Sequence, residues 1–71
     1  MTAPTALQRV VEALLFLSPE PLSVRELAEA CEAGEAEVDR ALDALAGALE
    51  GRGVVLREVA GGFALAAHPD A

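Results

Sequence analysis

Apolar residues near the start of the chain fall at Leu7, Val10, Val11, Leu14, Leu15 and Leu17, with Ala6 and Ala13 between them. At about 100° per residue they sweep an arc of roughly 200°, about twice what one packed helix face needs. The spacing predicts a helix over residues 4–17 with surplus apolar surface. Phe16 lies outside the arc, on the side of Arg9 and Glu12.

SPEP follows, where Pro19 and Pro21 end the helix and impose an extended connection. Ser23, with Glu26 three residues later, is a capping box and opens a second helix. That helix turns Leu27, Ala28 and Cys31 inward. EAGE makes a short turn, with Gly34 as the N-cap of a third helix over about residues 35–50. Val38, Leu42, Leu45 and Leu49 form its buried stripe, and GRG at 51–53 stops it. VVLREVA alternates as a strand, AGG turns, and FALAA returns. A two-residue loop puts Leu56, Phe63 and Leu65 on one face. The expected class is α+β, a winged helix-turn-helix of three helices with a C-terminal β-hairpin wing. The domain is expected to span residues 4–67, with 68–71 starting a linker.

Composition changes what such a fold can do. The chain has 71 residues and a net charge of −7. It has five arginines, no lysine and twelve carboxylates. A surface of that sign repels a phosphate backbone instead of releasing its counterions. The third helix sits where a DNA reader keeps its recognition helix, yet it carries Glu35, Glu37, Asp39 and Asp43 against Arg40. Asp39, Asp43 and Glu50 fall within about 40° of one another on the wheel. Beside them Ala36, Ala44, Gly47 and Ala48 make a smooth strip. Either this is a plain solvated face, or another backbone packs against Gly47. On the wing Arg57 is offset by Glu58. Arg25 is the best remaining phosphate candidate, flanked by Glu26 and Glu29.

Other chemistry is sparse. Cys31 is the one cysteine, which rules out an internal disulfide and fits a buried thiol in a reducing compartment. His68 is the one histidine and reads as a solvated tail residue. No Cys/His spacing suits a metal, and no glycine run has the context of a phosphate loop. No carboxylate has the apolar surroundings that raise a pKa for acid–base work. The chain is read as a non-enzyme without metal or cofactor. Its start has no basic region, and Gln8, Arg9 and Glu12 interrupt the apolar run, so neither a signal peptide nor a membrane span is expected. A cytoplasmic protein follows from this reading.

EALLFLSPEPLS, ELAEA, LREVAGG and FAL, in that order, resemble the N-terminal part of bacterial segregation and condensation protein B. The family's pattern there is "EALLF-SGEPLS", "ELAE", a Leu-rich helix and "REVAGGYRL". The resemblance spans roughly residues 9–70. Pro19 stands where the family has Gly, Gly34 where Ser is common, and Phe63 where it has Tyr. Ala64 and Ala66 replace the polar residues often found after that Tyr, which argues against carrying a polar role of the second wing strand over to this chain.

The resemblance implies a non-enzymatic condensin subunit in chromosome condensation and segregation, associated with the nucleoid. It implies self-association and binding of the kleisin subunit, segregation and condensation protein A, which links to the SMC ATPase. It also implies a second winged-helix domain in the family, absent from this chain. The rival function is a DNA-binding winged-helix transcriptional regulator.

Two readings of the first helix stay open. Its surplus arc is either wrapped within the domain or buried on a second copy or a partner. Phe16 either folds under SPEP or faces that partner. The expected contact residues are Val11, Leu15 and Phe16, at the edge of the arc or beyond it. Leu7, Val10 and Leu14, at its centre, are assigned to the core.

Overall fold

The computed structural model describes residues 4–70; residue 71, the last of the expected linker, lies outside them. Three helices are followed by a hairpin: α1 (Ala6–Leu17), α2 (Val24–Cys31), α3 (Glu35–Ala48), β1 (Val54–Val59) and β2 (Gly62–Ala67). This is the winged helix-turn-helix expected from the pattern.

Each helix start has a local cause. Thr5 caps α1 by accepting the Gln8 N–H at 3.1 Å. The Ser23–Glu26 box forms in both directions: the Glu26 N–H donates to Ser23 Oγ at 3.0 Å, and the Ser23 N–H donates to Glu26 Oε1 at 2.9 Å. The Ser23 backbone N–H first, and then the Ser23 side chain, favour the ionised carboxylate, so the Glu26 pKa lies below its ordinary value of 4.5. Gly34 caps α3 without a side chain, and Glu37 alone reaches back to its N–H at 3.1 Å.

The turn between α2 and α3 is tight because Glu32 takes a left-handed conformation at φ 53°. The Ala33 N–H then reaches the Ala28 carbonyl five residues back, closing α2. The hairpin pairs Leu56 with Leu65 and Glu58 with Phe63. Ala60 (φ 46°) and Gly61 (φ 81°) form its two-residue loop, both left-handed as a type I′ turn requires.

One connection exceeds what the pattern implied. Leu22 exchanges both backbone hydrogen bonds with Phe63, at 2.9 and 2.7 Å, so the segment after SPEP acts as a one-residue third strand beside β2. Gly62 makes this possible. A Cβ there would lie 2.9 Å from Pro21 Cβ and 3.2 Å from the Pro21 carbonyl carbon.

The core consists of Val11 and Leu15 from α1, Leu27 and Ala28 from α2, and Val38, Ala41, Leu42 and Leu45 from α3. Leu22, Leu49, Leu56, Phe63 and Leu65 pack against it half-buried, so the hairpin closes one side. Cys31 is half-buried at the rim, less enclosed than expected.

Candidate functional site

The surface that distinguishes this domain lies on α1. Val11 (0% exposed) and Leu15 (4%) point into the core, as does Gln8 (7%). On the opposite side Val10 is 46% exposed, Leu17 74% and Phe16 77%. These placements correct the expected contact set. Val11 and Leu15 are the domain's own core and have no surface to offer a partner, while Val10, assigned to the core, faces outward.

The physical reason is where the neighbours sit. A roughly 200° arc can be centred on the core or lie to one side of it. Here α2 and α3 approach the flank holding Val11 and Leu15. Leu7 and Leu14 are left half-buried at the margin. Val10 and Leu17, with exposed Ala6 and Ala13, form a second apolar stripe. Phe16 does not fold under SPEP; it stands free at the helix end.

A groove of about 740 Å³ runs between α1, the end of α3 and the start of the hairpin. Ala13 and Phe16 form one wall, and Ala48, Leu49, Val54 and Leu65 the other. Arg9 and Arg52 lie along it, as does Glu12. Among the described residues neither arginine is in an ion pair. Their convergence joins positions 9 and 52, a pairing no local sequence pattern signals.

The position of a recognition helix is occupied by carboxylates. Asp39 and Asp43 on α3, and Glu50 just beyond its end, are all exposed, as is Arg40 next to Asp39. Arg25 of α2 is engaged by Glu29 at 3.4 Å, an exposed i,i+4 pair. Arg57 is exposed on the wing beside Glu58. The remaining two arginines are those of the groove, so no cationic cluster spans α3 and the wing. Gly47 is open, with nothing within 4 Å of a Cβ built there, so no backbone packs against it within the domain.

Among the described residues no group of three His, Cys, Asp or Glu side chains could hold a metal ion. No helix there is long and apolar enough to cross a membrane. His68 is anchored through its backbone N–H to the Gly53 carbonyl at 2.8 Å, and its Nδ1 accepts the Asp70 N–H at 3.0 Å.

Comparison with known proteins places these features in a family. The model of "Segregation and condensation complex subunit ScpB" matches residues 9–71. Segregation and condensation protein B of Symbiobacterium thermophilum is 38% identical over 64 residues, covering 87% of this chain and 29% of that protein. The chain therefore spans under a third of that relative's length.

Among solved structures, a dimer of the ScpB N-terminal domain complexed with a ScpA peptide superposes with a TM-score of 0.82 at 35% identity. The match covers 89% of this chain and 82% of that one. ScpB from Mycobacterium tuberculosis gives 0.86 at 29% identity, over 99% of this chain and 45% of that one. A conserved hypothetical protein from Chlorobium tepidum gives 0.79 at 31%, over 90% and 42%. A family model covering almost the whole chain, a curated relative above a third identity and the shared winged helix agree: the chain belongs to the segregation and condensation protein B family.

Proposed function

We propose that this chain is a non-enzymatic, dimerising winged-helix module of the bacterial condensin complex, acting in the cytoplasm at the nucleoid. It binds the kleisin, segregation and condensation protein A, and through it serves the SMC ATPase without reading DNA. The observation that carries the reading is the exposed apolar surface of α1, with Val10 and Leu17 on its second stripe and Phe16 beside it. Large apolar residues clustered on the surface of a small acidic domain mark a protein contact. The dimeric ScpB domain with a ScpA peptide supports both partners by similarity.

Covering Val10 and Leu17 on both protomers of a dimer would remove roughly 400 Å² of apolar surface, worth about 10 kcal/mol gross. Association costs about 4–15 kcal/mol, so a dimer of modest affinity is expected.

Sedimentation across a concentration series tests the first part. The chain should dimerise, and Leu17→Glu should leave a folded monomer. A wild-type chain that stays monomeric, or a Leu17→Glu chain that still dimerises, overturns the α1 interface. Titration with the central region of the kleisin tests the second part, and absence of binding refutes it. Duplex DNA titrated in salt tests the rival regulator: affinity falling steeply with log[salt] would support it, and no binding at low salt excludes it.

A further inference from the structure

The groove between α1, the end of α3 and the hairpin lies beside the outward stripe of Val10 and Leu17, with Ala13 at the boundary between them. We propose that it holds a segment of the kleisin partner that is apolar along its length and carries carboxylates, with Arg9 and Arg52 as the charged anchors. This rests on the kleisin reading above and adds to it a surface and a chemistry.

The argument is charge complementarity. Three of the five arginines lie elsewhere: Arg25 is paired with Glu29, Arg40 stands among the carboxylates of α3, and Arg57 neighbours Glu58. The other two, Arg9 and Arg52, border the same apolar groove from different elements, and neither has an ion-pair partner among the described residues. Glu12 is the one carboxylate along the groove. Two arginines against one carboxylate make the groove locally cationic, by one charge, on a chain of net −7.

Guanidinium groups beside an apolar floor suit a segment that buries apolar side chains and presents carboxylates at the edge. Phosphate is the poorer match. A nucleic acid would bring its backbone against a strongly anionic domain and would leave the exposed Phe16 and Val54 without apolar cover. A second copy of this chain is also acidic, but the stripe of Val10 and Leu17 already provides for self-association without the groove.

The test uses the chain with fluorescently labelled kleisin central region, followed by anisotropy, while sedimentation records the oligomeric state. Arg9→Glu combined with Arg52→Glu should weaken kleisin binding at least about tenfold, through like-charge contacts at the groove, and leave the dimer unchanged. Glu12→Gln should tighten binding. Arg25→Glu combined with Arg57→Glu, a reversal of equal charge away from the groove, should change affinity less than about threefold, which excludes a general effect of net charge.

If the wild-type chain does not bind kleisin, the functional reading fails and this inference with it. If the wild type binds and the double reversal binds as well, the groove assignment alone is refuted. The inverse pattern, with Glu12→Gln weakening binding, would identify a basic occupant and refute it too. Loss of the dimer in the double reversal would make the occupant a second copy. Loss of duplex DNA binding would make it a nucleic acid. Either result overturns the proposal.

Discussion

Leu15 and Leu17 are two residues apart on one helix and chemically identical, yet truncation should cost far more at the first than at the second. Leu15 is 4% exposed and packs in the core, while Leu17 is 74% exposed. Leu15→Ala removes three carbons from a packed site and leaves a cavity, at a cost of about 2–5 kcal/mol. A single core in a domain of this size supplies about 3–5 kcal/mol in total. The substitution should therefore consume most of the stability.

Leu17→Ala loses only the quarter of its contact that is buried, about 0.5 kcal/mol. With a urea dependence of about 1 kcal/mol per molar, the midpoints should fall by about 3 M for Leu15→Ala and about 0.5 M for Leu17→Ala. The assay is urea unfolding followed by circular dichroism. It should be run at concentrations where sedimentation shows monomer, because dimerisation adds concentration-dependent stability to both chains. Equal midpoint losses, or a Leu15→Ala chain with a near wild-type midpoint, would mean that the two sides of α1 have been assigned the wrong way round.

Two further predictions concern elements that hold the surface in place. Gly62→Ala should force Pro21 and the hairpin apart, since its Cβ would lie 2.9 Å from Pro21 Cβ. A cost of about 1–3 kcal/mol is expected, seen as a melting temperature lower by roughly 5–20 °C, and an unchanged melting curve would show that the Leu22 bridge can shift freely. The capping box predicts a pH dependence. Glu26 has a lowered folded-state pKa, so its contribution is present above the unfolded value near 4.5 and is lost as pH falls through the folded one. Glu26→Gln should accordingly be less stable than wild type at pH 7, with the gap closing in urea titrations run well below pH 4.5; a gap that persists there would place the cause elsewhere.

Local sequence was enough for the elements, because their signals are local. The Ser23–Glu26 box, the prolines of SPEP, the left-handed positions at Ala60 and Gly61 and the period of Val38, Leu42 and Leu45 each act within one turn of chain. The anionic character of α3 was legible for the same reason, since charges on an exposed helix need no fold to be counted.

What lay beyond local sequence depended on direction. The width of the apolar arc of α1 shows that the helix has two apolar sides. It does not show which flank the rest of the domain will occupy, and placing the core at the centre of the arc put Val10 inside and Val11 and Leu15 outside, the reverse of the structure. That assignment is made by α2 and α3 arriving on one flank, a contact between segments far apart in the chain. The Leu22–Phe63 bridge and the placing of Arg9 and Arg52 along one groove arise in the same way. Side-chain period sets what a helix can bury, and tertiary packing selects which part of it is left for a partner.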